Sequence, residues 1–395
     1  WDAIGLEWGL EQMKDADIAV PDWAEAMVGQ GVEGFYRRDG ARRMYWDPLA
    51  EEWAEVPEDP KRIDVSTLEK TKSPLASNDS ATLHDMGDGV LLAEFHSKMN
   101  AVDDGIIELL YSAIDRAEQE GWRGLVIGND GSHFSAGANL QKLLERAEAG
   151  RWEKIREHSK WFQDLNQRLR YSTKPVVTAP HGYTLGGGAE IAMAGDAIQA
   201  HAQVTMGLVE TGVGIIPGAG GNLQLLRKVL GVHAEDMSVD PMPFIEQAFD
   251  QIRKGKMSKS GDRARKAGFL DAADRVMLNA DHLLHAAKQR VISLADGGYR
   301  PPLPTEFRLP GPDGVAVLDA KMHNWREAGG ISEHDRVIWR KLAQVLCGGE
   351  TSPRRTVSEE RLLELEREAF VSLCGEEKSR ERMKHMLENG RRLSN

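Results

Sequence analysis

The spacing of apolar and polar positions along this 395-residue chain changes period several times. GVLLAEFHS at 89–97 is an apolar run of strand length, and ATLHDM at 81–86 is placed to be its hairpin partner. Ile106, Ile107, Leu109, Leu110, Ala113 and Ile114 then recur at helical spacing behind Asp103 or Asp104, either of which can cap the helix. GLVIGND at 124–130 reads as a buried strand ending in a turn. Strand–helix alternation of this kind predicts α/β layers. A helix is expected near 139–149. A basic amphipathic helix follows over 151–172, with Trp152, Ile155, Trp161, Phe162, Leu165 and Leu169 as its apolar positions.

The flanking regions read differently. Residues 1–60 are rich in aromatics (Trp1, Trp8, Trp23, Phe35, Tyr36, Tyr45, Trp46, Trp53). They carry two helix-like stretches around 2–14 and 21–30, with Pro21 at a helix start and Gly29 near a stop. Residues 56–80, with prolines at 57, 60 and 74, read as a polar linker. After a polar patch, residues 244–271 read as a helix and 274–295 as a short strand followed by a helix. The Pro-rich stretch 299–314 reads as an extended linker. Residues 315–395 are helical, with Ser358 as a cap and Gly375 and Gly390 as stops.

Candidate chemistry concentrates in 174–221. Val176 and Val177 lead into the triple glycine Gly186–Gly188, a helix begins near Ala189 with Glu190 in its first turn, and Glu210 follows twenty positions later. Glycine permits close approach to the main chain. A helix start offers free N–H groups, which can hold a carbonyl oxygen as it gains charge. Two carboxylates beside such donors permit paired acid and base work. HFSAGANL at 133–140 has the same grammar of apolar lead, small residues and helix, so two turns could each supply one N–H to a single oxygen. Read as packing, these glycines make tight turns and Glu190 complements a helix dipole.

Composition narrows the class. Hydrophobic residues make up 41% and charged residues 28% of the chain, as in globular proteins, and no apolar run approaches a membrane span. The net charge of −12 argues against a general nucleic-acid binder. Cys347 and Cys374 have neither disulfide-framework nor metal-ligand spacing, which points to idle thiols in a reducing, cytoplasmic setting. His323, His334 and His385 likewise lack metal-ligand spacing. No G-x-G-x-x-G fingerprint of dinucleotide binding occurs. The chain begins with Trp and reads from the start as the middle of something, which leads us to expect a piece with sequence upstream.

Three ordered segments, FSAGANL at 134–140, KPVV…HGYTLGGGAE at 174–190 and GLVETGVGIIPGAGGNLQLLRKVLG at 207–231, resemble the crotonase (enoyl-CoA hydratase/isomerase) superfamily. Residues 1–36 resemble the end of the C-terminal helical domain of 3-hydroxyacyl-CoA dehydrogenases. The last residues, ERMKHMLENGRRLSN, resemble the C-terminus of long single-chain dehydrogenase/hydratase fusions. The resemblance implies a ββα superhelix with an N-terminal helical remnant and extra C-terminal helices. Its divisions would be 1–55 (dehydrogenase remnant), 56–80 (linker), 81–298 (hydratase module), 299–314 (linker) and 315–395 (helical extension).

The resemblance also implies roles. Glu190 and Glu210 match the two hydratase carboxylates, and the N–H groups of Ala136 and Gly187 match the oxyanion hole. Residues 136–139 (Ala136, Gly137, Ala138, Asn139) would border the coenzyme A path, Lys142 would assist with phosphate, and Trp161 or Phe162 would line the acyl pocket. Asn139 departs from the Asp of many relatives. The implied reaction is hydration of a trans-2-enoyl-CoA to a 3-hydroxyacyl-CoA in fatty-acid β-oxidation. It needs neither metal nor redox cofactor; NAD would serve only an upstream dehydrogenase domain of the same parent chain. The expected partners are an acyl-CoA and that domain, and a homo-oligomer is a further expectation. Isomerisation of a 3-enoyl-CoA, acyl-CoA hydrolysis and a non-catalytic module docking a dehydrogenase stay open.

Overall fold

The computed structural model describes residues 2–40, 42–57 and 59–395. Trp1, counted above among the aromatics, lies outside them. The chain divides into two compact units, Trp1–Arg62 and Ile63–Asn395.

In the first unit, helices Leu6–Asp15 and Asp22–Gly29 precede an antiparallel sheet of Tyr36–Asp39, Arg42–Asp47 and Glu52–Glu55. Pro21 stands at the N-cap of the second helix. The core is Leu6, Leu10, Ala24, Met27, Val32 and Trp46. The aromatic run around 35–53 thus builds strands, where aromatics pack well on a pleated surface, and Trp46 meets Trp53 edge-on across the ladder.

The second unit is built on a seven-stranded mixed sheet, in the order Arg275–Met277, Ala197–His201, Val176–Thr178, Gly124–Ile127, Val90–Phe95, Ala81–Asp85, Ala76–Ser77. The last three strands pair antiparallel and the rest parallel. Both faces are covered, which explains why the strands read as continuous apolar runs. Val90, Leu92, Val126 and Val177 face a core made with helix Leu283–Asp296. Their alternate neighbours Leu91, Ala93, Phe95, Leu125, Ile127 and Val176 face the larger core, shared with helices Asp104–Ala117 and Trp152–Arg170. Each such buried Val, Leu, Ile or Phe side chain contributes roughly 1.5–3 kcal/mol over an exposed one. Asp103 caps its helix by accepting from the Ile106 N–H at 3.1 Å, and Ser358 caps Glu359–Gly375 through the Arg361 N–H.

Both expected linkers are structured. Within 56–80, Val65–Thr71 is a helix and Ala76–Ser77 joins the sheet. Within 299–314, Glu306–Arg308 pairs with Thr356–Ser358, because Phe307 and Leu309 are fully buried despite the surrounding prolines. The expected helix 244–271 is two, Met242–Arg253 and Gly261–Ala267, interrupted where Gly255 takes φ +51°. Among the described residues no helix is long and apolar enough to cross a membrane.

Candidate active site

Two parallel strands explain how carboxylates twenty positions apart meet. Tyr183–Leu185 and Thr205–Gly207 pair in register, Leu185 opposite Gly207, and the Gly186 N–H donates to the Gly207 carbonyl at 2.9 Å. Each strand then runs within a few residues into its glutamate. Glu190 lies in the first turn of helix Gly187–Ala194, and Glu210 opens the 3-10 turn Glu210–Val213. Both line a cavity of about 520 Å³, together with Ala136, Gly137, Ala138, Phe162, Gly186 and Gly187.

The segment 133–139 lies against this pair of strands. Ser135 donates to the Tyr183 carbonyl and accepts from the Leu185 N–H, both at 3.0 Å. Gly137 has φ +106°, and a Cβ there would stand 3.1 Å from the Leu185 carbonyl oxygen, so glycine suits the position on both counts. The Ala136 N–H, expected to face the ligand, donates instead to the Met99 carbonyl at 3.1 Å. Its neighbour differs. In the bridge between Val102 and Ala138, Val102 donates to Gly137 and Asn139 donates back to Val102. The N–H of Ala138 itself therefore points to the other side, where its nitrogen is 3.4 Å from where a Cβ on Gly187 would sit. Gly187 is the first residue of its helix, so its N–H has no intrahelical partner. The Ala138 nitrogen thus lies beside the start of the Gly187 helix, whereas that of Ala136 is engaged by Met99.

Asn139 caps helix Leu140–Glu148 by accepting from the Lys142 N–H at 3.1 Å. The Lys142 ammonium is 3.7 Å and the Arg146 guanidinium 3.9 Å from Asp104 at the cavity rim. Of the two aromatics expected at the pocket, Phe162 lines it, while Trp161 stacks on Tyr111 with ring centroids 6.3 Å apart.

The glutamates are held in contrasting ways. Glu190 is buried, and its Oε1 accepts from the Ala219 N–H at 2.9 Å and the Gly221 N–H at 2.8 Å. Gly221 permits this, since a Cβ there would stand 2.8 Å from that oxygen. The Oε2 of Glu210 is buried without a hydrogen-bond partner among the described residues. Burial pushes both carboxyls well above their usual range, and the charges of neighbouring carboxylates add to it. The pair therefore titrates as a unit.

The sequence did not single out the third carboxylate, Glu366 in helix Glu359–Gly375. It is fully buried and accepts from the Gly220 N–H (2.5 Å), the Asn222 N–H (3.0 Å) and the Asn222 side-chain amide (2.8 Å). A signal was available: Glu366 stands three or four positions from Leu362, Leu363, Ala369 and Phe370, on the apolar stripe of its own helix. Phe370, Met386, Gly390 and Arg392 from the same C-terminal region line the cavity. Among the described residues no cluster of His, Cys, Asp or Glu has the arrangement of a metal site.

A mixed sheet flanked by helices, with two carboxylates beside two small-residue turns, defines a crotonase-like α/β fold. Residues 85–244 match the model of the enoyl-CoA hydratase/isomerase family. The chain is 41% identical over its whole length to a probable 3-hydroxyacyl-CoA dehydrogenase of Bacillus subtilis (strain 168), of which it spans 49%. Over 33% of its length it is 36% identical to a probable enoyl-CoA hydratase of the same strain, covering 50% of that protein. The chain thus spans about half of its full-length relative. An enoyl-CoA hydratase from Bacillus halodurans shares the fold at a TM-score of 0.54 and 18% identity, over 78% of this chain and 99% of that one.

Proposed function

We propose that this chain hydrates trans-2-enoyl-CoA thioesters to 3-hydroxyacyl-CoA in fatty-acid oxidation. The observation that carries this reading is the convergence of Glu190 and Glu210 on a cavity also lined by Ala138 and Gly187, with their main-chain N–H groups. Those two N–H groups would hold the thioester oxygen as it becomes enolate-like; one such donor is typically worth about 2.7–4 kcal/mol in the transition state. The two N–H bonds to Glu190 favour its ionised form. Glu190 would orient and deprotonate the water that attacks C3. Glu210, with an unpartnered oxygen in a buried setting, is suited to carry the proton delivered to C2. Phe162, Ile155, Leu143 and Phe370 supply apolar walls for the acyl chain, and Lys142 and Arg146 at the rim suit the phosphates of coenzyme A. Metal and redox groups have no part in this step.

The identity with a dehydrogenase about twice as long supports a second part of the proposal. The 3-hydroxyacyl product would pass to an NAD-dependent dehydrogenase domain of a longer parent protein, working in the cytoplasm. The test is loss of enoyl-thioester absorbance when the purified chain meets crotonyl-CoA without NAD. Absorbance that stays constant while coenzyme A thioesters still bind would sink the hydratase reading, and turnover of a 3-enoyl-CoA instead would establish an isomerase.

A further inference from the structure

We propose that Glu366 is a positioning residue for this hydration: it fixes, from a remote helix, the row of main-chain donors that holds Glu190 in place. The proposal rests on the hydratase reading above.

The geometry is an alternation. Four consecutive N–H groups open helix Gly221–Leu230, at 219, 220, 221 and 222. Glu190 accepts from the first and third, and Glu366 accepts from the second and fourth. The orphan donors of one helix start are therefore divided between two carboxylates, one on the cavity wall and one behind it. Carbonyls of the same turn are gripped from helix Trp152–Arg170. The Ser159 hydroxyl donates to Gly218 at 2.6 Å, and the Asn166 amide donates to Ala219 at 2.7 Å. Turning Glu366 away would free 220 and 222 and, with them, the backbone that aims 219 and 221 at Glu190.

The groups facing Glu366 show why a carboxylate stands there. Its Oε1 also accepts from the Gln163 amide at 3.1 Å, so each oxygen meets two donors. From the helices that carry Gln163 and Asn222 it faces neutral amides. From the Gly187 helix and the 3-10 turn it faces the charges of Glu190 and Glu210. Arg367, next to it on its own helix, donates to the Gln163 side-chain amide oxygen at 2.6 Å. A neutral cap would satisfy the helix start without placing a third acid beside the reacting pair. The acid here adds its charge to the field that keeps a proton on that pair.

The test is Glu366→Gln in the full chain. Glutamine keeps the shape but turns an NH2 toward two donors, so one half of the grip is lost along with the charge. Two readouts are taken on the variant and the parent. The first is an infrared titration of the buried carboxyls in ligand-free protein from pH 5 to 9. The second is crotonyl-CoA hydration over the same range. We expect the Glu190–Glu210 pair to titrate about one pH unit lower in the variant, with the acid limb of kcat following it. We expect kcat to fall about ten- to a hundredfold and KM to stay within about threefold. A folded variant with parental titration and parental kcat overturns the proposal. If Glu366→Gln does not fold, Glu366→Asp retains the charge but draws it back by one methylene. A tenfold kcat loss at constant KM then supports positioning, and parental kcat overturns it. If the parent itself fails to hydrate crotonyl-CoA, the hydratase reading falls by itself. The titration then decides for or against the action of Glu366 on Glu190.

Discussion

The cavity has two walls made in opposite ways. One is main chain: Gly137, Ala138, Gly186 and Gly187 lie close together because their side chains are small or absent, and this wall presents nitrogens. The other is side chain: Phe370, Met386 and Arg392 reach in from helices at the far end of the sequence, with Glu366 behind them. The first wall is shaped for one atom of a substrate. The second holds the first in place and closes the space around it. Changes to the main-chain wall, or to Glu366 that holds it, should therefore be felt in turnover, and changes to the lining side chains Phe370, Met386 and Arg392 in stability and KM.

The largest effect expected is on the acids shared by both walls. Glu190→Gln and Glu210→Gln should each lower kcat for crotonyl-CoA by about 10²–10⁴; near-parental turnover in either would remove that residue from the chemistry. Next comes Gly221→Ala. Its new methyl would stand 2.8 Å from both the Glu190 carboxylate and the Pro217 side chain, and the displaced acid should cost about a hundredfold in kcat. Equal losses in Gly221→Ala and Phe370→Ala would break the comparison. Phe370 packs over Gly218 and is half-buried. Its truncation should destabilise the protein by about 2 kcal/mol in denaturant unfolding and change kcat less than about tenfold.

A smaller effect sharpens the electrostatic side. The Glu210 carboxyl is raised to about 8 and that of Glu366 to about 7, chiefly by burial. A carboxyl held above its unfolded value near 4.5 binds its proton more tightly in the folded state. The stability it contributes is complete below 4.5 and is lost as pH rises through the folded value. His334 works at the other end: burial lowers it to about 4, so its contribution is present above 6.5 and fades as pH falls from there toward 4. The melting temperature should fall from pH 6 to pH 9, and less steeply in Glu210→Gln. Parallel slopes for the two proteins would contradict the assignment. Smallest of all, Arg392→Ala loses two bonds to the carbonyls of Lys254 and Gly255 at an exposed position. It should raise KM about two- to threefold and leave melting within a few degrees.

The two walls also differ in how far the sequence foretold them. The strands over 81–130 and the turns at 137 and 186–188 were legible because period and glycine act locally. That the glutamates stand on one wall followed from resemblance; the parallel pairing of Tyr183–Leu185 with Thr205–Gly207 supplies the physical reason. That the Ala136 N–H is taken by the Met99 carbonyl was not legible, because it depends on which side of the Val102 bridge each N–H takes. The N-terminal sheet and the strand Glu306–Arg308 were missed because polar and Pro-rich surroundings hid single buried side chains such as Trp46 and Phe307. Glu366 hid behind an ordinary helical pattern, and only its phase on the apolar stripe betrayed it.

The shared helix start carries a consequence for the making of the protein. Gly220 and Glu366 are 146 positions apart. At about 5–20 residues per second, a ribosome needs roughly 7–30 s to travel between them. During that interval the nascent chain already contains both reacting acids, while two of the four amides beneath them await their acceptor. A competent catalyst should appear only once the helix Glu359–Gly375 has left the exit tunnel and docked, so activity would report that the chain has been made past Glu366.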